Sequence, residues 1–225
     1  MRIAPLTKYD LPDLADHLVH FTGRLGTLSD VVDADILSMS PSDRLRRILD
    51  EGRIRAFSTY SSGGPFVAFT ESTPAAVHRL IGKRYRPWGI GFTKQFVFDQ
   101  GGAPVLYVRG DEWAEMTSQL PDHLRTRLVR FWPGAATDPG EGLGTPLRSR
   151  SEWLHEREWR VRHDVVFDWD AIAFLIVPDA RWCDAYAAEC EQQEGGLYAA
   201  WFDSIPLVVI DDNGRLVSDQ TGLWQ

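Results

Sequence analysis

His155-Glu156-Arg157-Glu158-Trp159-Arg160-Val161-Arg162 reads HEREWRVR, and shortly after it Ala171-Ile172-Ala173-Phe174-Leu175-Ile176-Val177 reads AIAFLIV. The second run is apolar throughout, the pattern of a buried strand. The first alternates charge with Trp159 and Val161. As an extended segment it puts Glu156, Glu158, Arg160 and Arg162 on one face and Arg157, Trp159 and Val161 on the other. Trp159 and Val161 then pack on the core, and the charged face meets either bulk water or a polar cleft. A solvated salt-bridge ladder contributes at most about 1 kcal/mol. In a cleft, a carboxylate flanked by guanidiniums can bond a sugar hydroxyl or stabilise positive charge.

Downstream, the pattern predicts a helix from about Asp179 to Gln193 and a short strand over Leu207–Ile210. Cys183 and Cys190 lie on that helix, roughly 10 Å apart, too far for a disulfide. Immediately upstream, Pro133 to Ser151 has turn chemistry throughout and almost no apolar anchors. A long loop of this kind is either functional or disordered.

Further upstream, Val19-His20-Phe21-Thr22 reads as an early strand. The clearest helix follows: Ser40 caps it, Pro41 takes its first position, Leu45, Ile48 and Leu49 form its apolar stripe, and Gly52 ends it. A strand, a Ser/Gly-rich turn over Ser58–Gly64 and a second strand from Phe66 to Thr70 come next. Thr73-Pro74 opens a helix that Gly82 stops. From Trp88 to Phe98 the alternation predicts a strand that bares Gly89 and Gly91 on one face, where a backbone or ligand can approach. Gly101-Gly102 turns the chain, so Pro104 to Arg109 is expected back as a hairpin partner. Asp111 is expected to cap a helical region reaching Phe131, interrupted at Pro121. Strands with flanking helices, without strict βαβ alternation, predict an α+β fold. The whole chain, 1–225, is expected to form one domain.

The 225 residues carry a formal net charge of −8, which argues against a general electrostatic grip on nucleic acid. Arg44, Arg46 and Arg47, and Lys83, Arg84 and Arg86, read as local basic patches or solvated helix faces. Two cysteines and six scattered histidines form no zinc spacing, so no metal is expected. With no signal peptide and no long apolar run, a reduced cytoplasmic location and no membrane partner are expected. The common serine-hydrolase, metalloprotease and Rossmann motifs are missing.

In order, VHFTG, RLRRILDEGRI, GPFVAFTES, WGIGFTKQFVFDQGGAPVLYV and EREWRV resemble the abortive-phage-resistance AbiGi-like group of bacterial proteins. The similarity runs from about His20 to Val161 and more loosely to Pro178. More distantly, the order of His20, the Leu45–Gly52 helix, Glu158 and AIAFLIVP is similar to the DNA-targeting ADP-ribosyltransferase toxins. These resemblances imply two small, mainly antiparallel sheets with a cleft between them that binds NAD as substrate. They imply a role in phage defence or a toxin–antitoxin system, with a cognate antitoxin or toxin as partner and a macromolecular acceptor, protein or nucleic acid. Glu158 would be the catalytic carboxylate, with Glu156 competing for that place. His20, Phe21, Thr22, Phe69, Thr70 and a stacking Tyr60 or Tyr85 would hold the dinucleotide, and Glu156 and Arg160 would contact substrate. His20 and Glu158 are expected to converge on one pocket. The alternative is a catalytically inert binding protein or antitoxin that keeps the fold.

Overall fold

The computed structural model describes residues 15–24, 34–58, 64–71, 73–132, 154–194, 202 and 204–223. Strand β1 (His17–Phe21) buries Leu18 and Val19 on its two faces. After α1 (Ala34–Ser38), the chain enters α2 (Pro41–Glu51) through the expected cap. The Ser40 hydroxyl accepts the Asp43 N–H at 3.1 Å, and the Asp43 carboxylate accepts the Ser40 N–H at 3.3 Å. Gly52 closes the helix at φ 57°, donating its N–H to the Ile48 and Leu49 carbonyls. β2 (Arg53–Ile54), β3 (Val67–Thr70) and α3 (Pro74–Leu80) follow, close to their sequence positions.

Four expectations fail in the next stretch. β4 (Gly89–Thr93) stops five residues short of Phe98. The Thr93 hydroxyl accepts the Phe96 N–H at 3.2 Å and opens α4 (Lys94–Asp99), which buries Val97 and stacks Phe96 on Phe92. β5 (Ala103–Pro104) and β6 (Leu106–Arg109) do not return against β4 as a hairpin. After α5 (Trp113–Gln119) and α6 (Asp122–Arg125), the chain forms β7 (Leu128–Phe131) where helix was expected. β6 and β7 pair in parallel from Leu106↔Leu128 to Arg109↔Phe131, a long-range pairing that local propensity does not reveal. Glu112, not Asp111, stands at the α5 cap, because the Asp111 carboxylate is bonded by Arg109 at 2.7 Å.

β8 (Glu158–Val161), β9 (Val165–Val166), β10 (Ile172–Val177), α7 (Ala180–Glu194), β11 (Leu207–Ile210) and β12 (Leu216–Asp219) complete the described elements. The main sheet has eight strands in the order β12-β11-β10-β4-β1-β3-β8-β5. Its β10–β11 pair is parallel and its other neighbours antiparallel. β2–β9 and β6–β7 form separate two-stranded sheets. The fold is therefore α+β with a mixed sheet. The expected pair of small sheets is corrected to one continuous sheet, although its continuity is thin in one place. β1 pairs with β4 over its whole length but with β3 only at Val19↔Thr70. Beyond that pair no β1 and β3 residues are paired, leaving a split in the hydrogen-bond ladder between a five-strand and a three-strand portion.

Apolar layers cover both faces of the larger portion. On one, Leu45 and Leu49 of α2 and Cys183, Tyr186 and Ala187 of α7 pack with Leu18, Ile90 and Leu175. On the other, Val77 of α3 packs with Val19, Phe174, Ile176 and Val208. The bare glycine face of β4 serves this second layer: a Cβ on Gly91 would meet the Phe174 ring at 2.5 Å. The close approach inferred from the sequence is thus made by a phenylalanine of the neighbouring strand. No described helix is long and apolar enough to cross a membrane.

Candidate active site

Strand pairing decides which of the expected site residues share a face, since directly paired residues project to the same side. Val19 lies opposite Thr70, and Thr70 opposite Glu158. These three leave one face of the sheet, and His20, next to Val19, leaves the other. The expected convergence of His20 and Glu158 on one pocket wall is corrected accordingly.

The His20 ring nevertheless turns into the split between β1 and β3. Its Nδ1 lies 2.9 Å from the Ala68 carbonyl oxygen, bridging the strands where their ladder has ended. A carbonyl can only accept, so Nδ1 carries the proton and Nε2 keeps a lone pair. Burial lowers the His20 pKa, which keeps the imidazole neutral at pH 7. Phe69 meets the ring edge-on at 5.9 Å and is itself buried against Phe92, so it belongs to the core. Thr22 is buried too, its hydroxyl donating to the Pro41 carbonyl at 2.7 Å. Phe21 stacks on Tyr85 at 4.6 Å between ring centroids, placing an aromatic pair beside the split. Tyr60 and the 133–151 stretch lie outside the described residues.

On the Glu158 face, the two acidic candidates separate. Glu156 is not on the strand. It ends a 3₁₀ turn, Leu154–Glu156, and Arg157 then adopts φ 44°, breaking the alternation that would have aligned the two acids. Glu156 is buried and pairs with Arg84, and the Thr70 hydroxyl donates to its carbonyl oxygen at 2.5 Å. Arg84 therefore does not belong to a solvated basic face. Glu158 receives a two-pronged bond from Arg160, with Nε to Oε1 at 2.7 Å and Nη2 to Oε2 at 3.2 Å. Arg160 is only 3 % exposed, so the charged face is buried there, and it reaches solvent only at Arg162 beyond the strand end. The remaining hydrogen bonds of Arg160 go to protein carbonyls, which leaves it little reach toward a substrate.

Two phenols complete this face. Burial raises the Tyr107 pKa to about 12, helped by the Glu158 charge and, less strongly, that of Glu156. Burial likewise pushes Tyr85 up, with the Glu156 charge adding to the effect. Both stay protonated at neutral pH and can donate. Arg84 and Tyr107 were not singled out as site residues from the sequence; only the β6–β8 proximity, a tertiary fact, brings Tyr107 in.

A third acid, Glu71, lies just past β3. It is 6 % exposed and accepts from Lys94 Nζ and Trp159 Nε1, each at 2.7 Å. The three-strand portion is thus gripped by a carboxylate network on each side of β8. Among the described residues no group of three or more His, Cys, Asp or Glu side chains is placed to share a metal ion. No protein-family model, curated protein or solved structure matches the chain.

Proposed function

We propose that the chain is an NAD-dependent ADP-ribosyltransferase-like enzyme of bacterial phage defence or a toxin–antitoxin system, acting on a macromolecular acceptor. The observation that carries this reading is the split between β1 and β3, bridged by an imidazole of fixed tautomer and bordered by the Glu158 carboxylate over the adjoining face. The lone pair on His20 Nε2 suits a ribose hydroxyl, and the Phe21–Tyr85 pair offers a flat surface to a nicotinamide or adenine ring. Glu158 would bond the nicotinamide ribose 2′-hydroxyl as the C1′–N bond breaks. Nicotinamide departs with the bonding electrons, the carboxylate stabilises the oxocarbenium-like sugar, and an acceptor lone pair then bonds to C1′ as the acceptor's proton passes to water. Such charge stabilisation is worth a few kcal/mol, or about 100-fold or more in rate. Nicotinamide release by purified protein with cell lysate tests the reading. Wild type should release it, and Glu158→Gln should fall by about 100-fold; equal release by the two would refute the assignment.

One observation favours a second reading, an inert binding protein or antitoxin with the same fold. Both Glu158 oxygens are already engaged by Arg160, as in a structural ion pair. Calorimetry separates the two: no heat with millimolar NAD, together with a tight protein partner, supports the inert form.

A further inference from the structure

Arg160 was expected to contact substrate, yet the side chain sits in a slot formed by strand register. Its cross-strand partners are Ala68 on β3 and Ala103 on β5, the two small residues of those rows. The guanidinium lies over this small-residue lane, with its central carbon 4.0 Å from the Phe66 ring centroid. Nε and Nη2 hold the two Glu158 oxygens, while Nη1 donates to the Thr126 carbonyl at 2.7 Å and the Leu128 carbonyl at 3.2 Å. Those carbonyls belong to the corner where α6 gives way to β7. A single buried cation therefore joins the acid of β8 to a separate two-stranded sheet.

We infer that Arg160 is the positioning residue for Glu158 and the joint through which the α6–β7 corner fixes where that carboxylate stands. The inference rests on the ADP-ribosyl transfer reading for its kinetic consequence, but not for its mechanical one. The planar fork serves both partners at once, and a lysine, a point charge on a flexible stem, cannot. Displacing the corner, by a partner or an acceptor seated on β6–β7, would drag the guanidinium and shift the carboxylate. A misplacement of about 1 Å at a reacting group costs on the order of 100-fold in rate.

The test uses the full chain and two readouts. In nicotinamide release, Arg160→Lys should lower kcat about 100-fold with KM for NAD within about twofold, because ground-state contacts to NAD are made elsewhere. Arg160→Ala should recover part of its kcat in millimolar guanidinium, which refills the slot. Unchanged kcat in a folded Arg160→Lys protein, or a loss carried wholly by KM, overturns the inference. Amide hydrogen exchange gives the readout independent of NAD. Arg160→Lys and Glu158→Gln should both speed exchange at 128–131 about tenfold, with α7 unaffected. Unchanged protection there in both variants overturns the coupling even if wild type is active. A wild type that releases no nicotinamide, with exchange altered as expected, refutes the enzyme reading and leaves the joint established.

Discussion

Trp159→Phe isolates the hydrogen bond that ties β8 to Glu71. The indole Nε1 donates to Glu71 Oε2 at 2.7 Å, and both residues are under 8 % exposed, with Trp159 at 7 % and Glu71 at 6 %. Phenylalanine keeps an aromatic ring in the core but offers no donor, so a buried carboxylate loses a partner. A hydrogen bond to a charged group is worth about 1.5–3 kcal/mol. Lys94 still holds the other oxygen at 2.7 Å and Arg157 stands 3.7 Å away, which keeps the loss near the lower part of that range. The expected destabilisation is about 2 kcal/mol including the smaller ring, or roughly 4–8 °C in Tm for a chain of this size. Urea denaturation followed by circular dichroism measures it, with calorimetry for Tm. Glu71→Met supplies the control: in that background Trp159→Phe removes only ring volume and should cost at least about 1 kcal/mol less. A cost below about 0.5 kcal/mol for Trp159→Phe, or full additivity with Glu71→Met, would refute the assignment of the bond as a major tie.

Gly91→Ala should destabilise by about 1–3 kcal/mol in the same assay, because its Cβ would meet the fully packed Phe174 ring at 2.5 Å. At Arg157, φ 44° costs an L side chain about 1–2 kcal/mol, so Arg157→Gly should be more stable than Arg157→Ala by up to about 1 kcal/mol after the glycine entropy loss; the reverse order would refute the strain. Tyr107 has a folded pKa raised to about 12 from 10.0, so it favours the folded state below pH 10 and that contribution is lost as pH rises toward 12. Tyr107→Phe should therefore lose less stability than wild type between pH 10 and 12, read from urea midpoints at each pH. Burial raises the Cys183 thiol to about 12, so a disulfide reagent at pH 8 should modify the half-buried Cys190 first and Cys183 only on unfolding; equal native rates would contradict its burial.

Helix α2 was legible almost residue by residue, since capping and termination are local chemistry: Ser40, Asp43, Pro41 and Gly52 each act within one turn of the helix end. β10 and β11 were legible because a strand covered on both faces shows as a short, uniformly apolar run. Pairing partners were not. β6 reads as a hairpin return to β4 and the β7 stretch reads as helix, and only the folded chain reveals the parallel β6–β7 pair. The end of β4 was missed for a different reason. GIGFTKQFVF alternates well enough for a strand, but Thr93 is also a good helix cap, and α4 wins by burying Val97 and stacking Phe96 on Phe92.

For the site, the residue types were legible and the parity was not. Alternation within β8 correctly sets Glu158 and Arg160 against Trp159, and the ion pair and the indole–Glu71 bond follow from it. Whether Glu158 faces His20 depends instead on register across β1, β3 and β8, and a shift of one residue in either pairing would reverse the answer. Val19↔Thr70 and Thr70↔Glu158 fix it so that the two project oppositely. A ligand lying on either face of the sheet would meet one of the two groups directly. The Ala68 carbonyl, which accepts the hydrogen bond from His20 Nδ1, belongs to the residue paired with Arg160, so the imidazole and the joint that holds Glu158 meet at one position of β3.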